Sequence, residues 1–211
     1  MSVPASPPIC LIVPGLGNSG PGHWQSIWER ERGDCRRVEL GRWNDPLRNL
    51  WISRLDQAVT AAPSPVVLVA HSLGCLAVAW WAALLGGSAL GPVQGALLVA
   101  PPDPDRSNVD PRIARFAPIP TKPLPFPAIV VASRTDPYAS FARSRAMARN
   151  WLADLIDMGR SGHLNAESRL GSWQNGQALL QTLLGGRLPR PAERPLPRSG
   201  PSRRLRPATD V

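Results

Sequence analysis

No apolar run in this chain is long enough to span a bilayer, because charges or prolines interrupt the longest ones. No basic cluster precedes the first apolar run, and no signal-peptide cleavage pattern accompanies it. Cysteine is scarce: Cys10, Cys35 and Cys75 are widely spaced and form no CxxC pair. That spacing suggests neither a zinc cluster nor a disulfide framework, and the three read as reduced, mostly buried thiols. Histidine is equally scarce, with three in 211 residues. These absences set aside membrane-spanning, disulfide-scaffold and zinc-ribbon classes. A soluble, cytoplasmic protein is the expectation that remains.

What is present fits one domain with a sizeable core: 211 residues, 43% of them hydrophobic. The net charge of +9 raises nucleic-acid binding as a possibility. Its distribution argues otherwise. The segment 187–211 carries seven arginines against Glu193 and Asp210, a net +5, which leaves +4 for the rest. That segment is rich in Pro and Arg with almost no large apolar residues, so it cannot bury enough surface to offset its ordering entropy. The expected organisation is a domain over 1–186 and a disordered tail over 187–211. The tail could make at most a weak electrostatic contact with nucleic acid, and a solvated segment is the simpler reading.

Within 1–186 the pattern alternates. Buried-type strands are expected at 9–13, 36–40, 66–70, 95–100, 128–132 and 154–158. Helices are expected at 24–32, 50–61, 75–85, 141–152 and 177–184. Short apolar strands alternating with helices imply an α/β fold, a mostly parallel sheet with helices on both faces. The Pro-rich connection 101–127 is too short and irregular for a lid domain. In such sheets ligands bind beyond the C-terminal ends of the strands, so the residues just after each strand are the ones to read.

After the strand 66–70 comes Ala70-His71-Ser72-Leu73-Gly74, then a helix. A tight strand-to-helix turn lifts the Ser72 hydroxyl out of the sheet and aims the Leu73 N–H at a developing oxyanion. Small residues two before and two after the serine let strand and helix approach, although alanine stands where the G-x-S-x-G pattern has its first glycine. A serine that merely caps the following helix is the bland alternative. In hydrolases built on this turn the chain order is serine, acid, histidine. His71 adjoins the serine and His23 precedes it, which leaves His163, in the glycine-rich segment Gly159–His163, as the base. Two acids stand after strands in between. Asp136 follows the penultimate strand and is preferred; Asp103 follows the strand before and remains open. Both are Asp-Pro sites, whose ordinary role is turn initiation or capping.

Four stretches together resemble the retinoblastoma-binding protein 9-like, or YdeN-type, small serine hydrolases. They are Val13-Pro-Gly-Leu-Gly-Asn-Ser-Gly-Pro-Gly-His-Trp24, Ala70-His-Ser-Leu-Gly-Cys75, Ser133-Arg-Thr-Asp-Pro137, and Gly162-His-Leu-Asn-Ala-Glu-Ser168 with Trp173. The resemblance spans roughly residues 9–185. It implies a lidless α/β-hydrolase with a triad of Ser72, Asp136 and His163, and it puts Asn165 and Glu167 close to the site. The tail lies outside it.

Gly15-Leu-Gly17-Asn-Ser-Gly20 also matches G-x-G-x-x-G after a strand, with Glu39 standing 24 positions after Gly15. The rival is therefore a dinucleotide-binding oxidoreductase. Pro21-Gly22 count against it. They delay the helix to about His23, whereas a pyrophosphate site needs the helix to begin inside the glycine run. A wide loop after the first strand suits an oxyanion loop better, with the N–H of Leu16 and of Leu73 as donors and Gly17 as the fallback. His23 and Trp24 would border the site, or serve as a helix cap and as core.

The expected chemistry is acyl transfer to Ser72 and release by water, with no metal or organic cofactor. The substrate class is a small ester, thioester or amide in a shallow pocket near Leu16, Pro101 and His163. A non-catalytic binding protein on a hydrolase scaffold is the alternative from another class.

Overall fold

The structure is a computed structural model that describes residues 7–85 and 93–185. The segment 187–211, expected to be a disordered tail, lies outside the described residues. Six strands form one sheet: β1 (Ile9–Val13), β2 (Cys35–Arg37), β3 (Val66–His71), β4 (Val93–Val99), β5 (Ala128–Ala132) and β6 (Asp154–Asp157). Their order is β2-β1-β3-β4-β5-β6, and every neighbouring pair is parallel. The central strand β3 is buried along its whole length, as a parallel strand covered on both faces must be, and its sequence is accordingly unbroken apolar up to His71. The edge strands β2 and β6 are short and carry charge, which blunts them as pairing templates.

Helices α1 (Trp24–Glu31) and α6 (Gln174–Leu184) cover one face, over a core that includes Trp24, Trp28, Trp173, Val67 and Val69. Helices α2 (Arg48–Thr60), α3 (Leu73–Leu85) and α5 (Phe141–Trp151) cover the other, over Trp51, Trp81, Trp151, Leu68 and Val130. Buried indoles supply both packing area and a polar handle. The Trp28 N–H donates to the Ser172 carbonyl at 2.7 Å, the Trp51 N–H to Gly41 and the Trp151 N–H to Pro120. Each bond ties a loop to the body.

The connection between β4 and β5 is not a lid. It is packed down by Ile113, Phe116, Leu124 and Phe126, all buried, and held by the Trp80 N–H on the Phe116 carbonyl. It contains one short helix, α4 (Pro111–Ala114), that the apolar pattern does not reveal. Its start is written locally: Asp110 caps the Arg112 N–H and Pro111 takes the first helical position, where no donor is needed.

Some boundaries differ from expectation for physical reasons. Helix α3 begins at Leu73, directly after the elbow, where the Cys75 N–H already reaches back to the Ser72 carbonyl at 2.9 Å. Helix α6 starts three residues early, at Gln174, where the sequence is polar and an apolar period has not begun. Strand β2 ends at Arg37 rather than Leu40. The chain then leaves the sheet edge after one further bond, from the Val38 N–H to the Ile12 carbonyl.

Candidate active site

The chain runs from β1 outward to β2, then crosses to β3 on the other side of β1. The strand order therefore reverses between β1 and β3, and an open parallel sheet forms its binding crevice above such a point. The loop Pro14–Gly22 and the Ser72 elbow meet there. Ser72 has φ of +52°, a left-handed conformation costly for a residue with a side chain and kept where the surroundings enforce it. Two glycines enforce it. A Cβ on Gly74 would sit 2.6 Å from the Pro14 carbonyl oxygen and closer still to that of Val13. A Cβ on Gly15 would sit 2.8 Å from the Ser72 Cβ. Ala70, in the first small-residue position, is accommodated as an ordinary buried strand residue of β3. The Ser72 N–H is anchored on the Val99 carbonyl at 2.9 Å.

Ser72 Oγ lies 2.8 Å from His163 Nε2. His163 Nδ1 lies 2.9 and 3.0 Å from the two oxygens of Asp136. A carboxylate only accepts, so Nδ1 carries the ring proton and Nε2 is left to accept from the serine hydroxyl. Both side chains of the His–Asp pair are buried. Asp103 is elsewhere: its carboxylate takes the Arg143 guanidinium at 3.0 Å. The alternative acid is thus occupied by an ion pair, and Asp136 is the carboxylate against the imidazole.

Loop chemistry explains why the pair meets. The Ser133 hydroxyl accepts the Ser161 N–H at 3.0 Å and donates to the Gly159 carbonyl at 3.2 Å. The Thr135 hydroxyl accepts the Gly162 N–H at 3.1 Å. The segment after β5 is so latched to the segment after β6. His163 is then pinned from behind, because His71 Nε2–H donates to its carbonyl at 3.0 Å and the Trp24 N–H donates to the next carbonyl, Leu164, at 2.9 Å.

Two further imidazoles crowd this end of the sheet. His71 is buried, and burial first, then the neighbouring His23 and His163, hold its protonation well below the ordinary imidazole range. His23 is pushed down to about 4, chiefly by burial, with help from Arg37 and His163. Both are uncharged near neutrality. His23 caps α1, its Nδ1 accepting the Gln25 N–H at 3.1 Å.

A cleft of about 330 Å³ opens over Ser72 and His163. Leu16, His23 and Asn165 border it, and so does Glu167. Asn165 also caps a turn of 3₁₀ helix through the Glu167 N–H. Three expectations need correction. Trp24 does not line the cleft; it is core, wedged edge-on against Trp28 and Trp173. Gly17 turns away, its N–H spent on the Trp43 carbonyl at 2.8 Å, so it is no fallback donor. The Pro-rich connection reaches the cleft through Asp110, Arg112 and Ile113 rather than Pro101. Tyr138 also borders the cleft, although none of the sequence motifs singles it out. Its ring centroid stands 4.4 Å from that of His163, and its N–H donates to Asp136 at 2.9 Å. The Asp-Pro-Tyr turn, with an Asp side chain free to bond two residues on, was the available signal.

The glycine loop is not arranged for a dinucleotide. Helix α1 begins only at Trp24, and Gly15 is packed on the elbow.

A lidless parallel sheet with this serine elbow at its switch point defines a serine hydrolase of the α/β-hydrolase type. The chain belongs to the serine hydrolase family, whose profile matches residues 10–182. It is similar to a YdeN-like hydrolase from Pectobacterium atrosepticum. The two are 32% identical, with a TM-score of 0.74, over 86% of this chain and 92% of the other. The ydeN gene product of Bacillus subtilis shares the fold at 19% identity and a TM-score of 0.68, over 84% and 99% of the two chains. So does Est1E from Butyrivibrio proteoclasticus, in its ferulic-acid-bound structure, at 13% identity and 0.60, over 85% and 89%. A search of curated proteins gives no match. No helix among the described residues is long and apolar enough to cross a membrane.

Proposed function

We propose that the protein hydrolyses small esters, thioesters or short amides through an acyl-enzyme on Ser72. The observation that carries this reading is the unbroken hydrogen-bonded run from Asp136 through His163 to Ser72. His163 Nε2 takes the hydroxyl proton as Ser72 Oγ attacks the acyl carbon, and Asp136 orients the ring and stabilises the imidazolium. The tetrahedral oxyanion is received by the N–H groups of Leu73 and Leu16. Leu73 is the first residue of α3, where the N–H has no partner within the helix. Leu16 N–H donates to no described atom, while its neighbours Gly17 and Asn18 are committed to Trp43 and Gly15. His163 then returns the proton to the leaving group, and water releases the acid by the same route.

The cleft limits the substrate. Its volume of about 330 Å³ stands at the low end of small-molecule sites, and polar groups such as Asn18, Asp110, Arg112 and Glu167 line much of it. A short, polar acyl ester fits; a long alkyl chain would leave most of its surface in water. The test is kcat/KM along a series of p-nitrophenyl esters of increasing chain length. Turnover should be highest for the shortest acyl groups and lost in Ser72→Ala and His163→Ala. Efficient hydrolysis of triacylglycerol emulsions would overturn the substrate class. Undiminished turnover in Ser72→Ala would overturn the mechanism.

A further inference from the structure

The opposite end of the sheet holds a second polar cluster that the hydrolase chemistry does not use. Cys10 is the second residue of β1 and Cys35 the first of β2, and the two are register partners in a parallel ladder. Partners in a ladder point to the same face, and both sulfurs enter the same core beneath α1 and α6. Their Sγ atoms and a carboxylate oxygen of Asp34 all lie within 4.8 Å of one another. Each thiol donates to a different Asp34 oxygen, at 3.8 Å. Arg32 clamps the same carboxylate at 2.7 and 3.0 Å. Asp34 is partly exposed and borders an open groove against α6, and the two thiols lie buried behind it.

From this juxtaposition we infer that Cys10 and Cys35 are a disulfide-forming pair, closed by hydrogen peroxide or by a small-molecule disulfide. Neighbouring strands lie about 4.8 Å apart, which is inside the roughly 4.4–6.8 Å between Cα atoms that a disulfide spans. Cys35 sits on a three-residue edge strand, which can yield the remaining adjustment of the sulfurs. The surroundings favour one thiolate. The neighbouring Cys10 thiol, together with Arg32, draws the Cys35 thiol below its ordinary range, while Cys10 is driven up. An Arg already seated on the only carboxylate is a poor neighbour for a metal ion, so the arrangement fits sulfur chemistry better than cation binding.

The steps balance. The Cys35 thiolate attacks one peroxide oxygen, the O–O bond breaks, and hydroxide leaves and is protonated to water. The Cys10 sulfur, its proton passing to Asp34, attacks the resulting sulfenyl sulfur. The S–S bond forms, the S–O bond breaks, and the departing hydroxide takes the proton from Asp34 as a second water. Two thiols lose two electrons and two protons, and peroxide is reduced to two waters.

Cys75 is the internal control. It is buried behind the elbow, its S–H on the Val99 carbonyl at 3.4 Å, and burial raises its thiol far above the ordinary range. The folded full-length chain should be reduced, exposed to hydrogen peroxide or in a second arm to oxidised glutathione, then denatured and alkylated. The expected result is that two of the three thiols escape alkylation, the mass falls by two hydrogens, and a Cys10–Cys35 peptide pair appears that dithiothreitol dissolves. Cys10→Ser should stop at a Cys35 sulfenic acid that dimedone traps. Three alkylatable thiols after exposure would overturn the inference. So would thiol loss confined to Cys75 or to bonds between two chains.

Discussion

The two ends of the sheet each gather a nucleophilic side chain and a carboxylate, and they differ in what stands between them. At the C-terminal end an imidazole separates Ser72 from Asp136, with bonds of 2.8 and 2.9 Å on its two nitrogens. At the N-terminal end Asp34 meets the thiols of Cys10 and Cys35 directly and is shared with Arg32. A hydroxyl is far too weak an acid for a carboxylate alone to activate, so the first arrangement needs the histidine and the rigid loops that aim it. A thiol needs less help, because its thiolate forms near neutrality once a cation or a donor is at hand. The lesson is that proximity to a carboxylate is not itself catalytic machinery; the group in between decides which bond is made.

Three carboxylates allow that contrast to be broken deliberately. Asp136→Asn should lower kcat on a short ester about 10⁴-fold, since an amide favours the wrong imidazole tautomer. Asp103→Asn, which weakens one of the two carboxylate contacts of Arg143 and leaves Asp105 on it, should leave kcat within about twofold and cost at most about 1 kcal/mol of stability. Asp34→Asn, at the other end of the sheet, should likewise leave ester turnover unchanged. Steady-state kinetics with denaturant melts on all three would settle the order. A large kcat loss in Asp103→Asn would move the acid role away from Asp136.

The crowded histidines sharpen the comparison through pH. In the unfolded chain His23 takes up its proton near 6.5, whereas in the folded protein it resists until about 4. Between those values the unfolded chain binds more protons, so stability falls as pH falls through that window. The contribution of His23 is about 3 kcal/mol over the full window, and His71 acts in the same direction. Urea melts at several pH values should show the loss. His23→Asn keeps an oxygen to cap α1 and should flatten the profile by its share. A profile unchanged by that substitution would mean the His23 site is not as dry as its burial implies.

Much of this architecture is legible in the chain. The apolar runs Ile9–Val13 and Ala128–Ala132 are strands residue for residue, because buried parallel strands leave no room for polar interruptions. The serine elbow is legible because one local turn carries all its requirements: an apolar strand, Ser72, then Gly74 against Pro14. His163 follows from scarcity and chain order. What could not be read depends on register or on distant loops. Cys10 and Cys35 are 25 positions apart, and only the alignment of β1 with β2 makes them neighbours. Trp24 reads as a cleft residue beside His23, yet one helical step turns it inward to Trp28 and Trp173. Arg112 and Ile113 reach the cleft only because the β4–β5 connection is packed down by Phe116 and held by Trp80.

The most direct test of the central claim is intact-mass labelling with a fluorophosphonate, which phosphonylates only a serine made nucleophilic by a working base. One adduct per chain is expected, on the peptide containing Ser72, and none in either Ser72→Ala or His163→Ala. A folded wild-type chain that takes up no label, or takes it up on another residue, would contradict it.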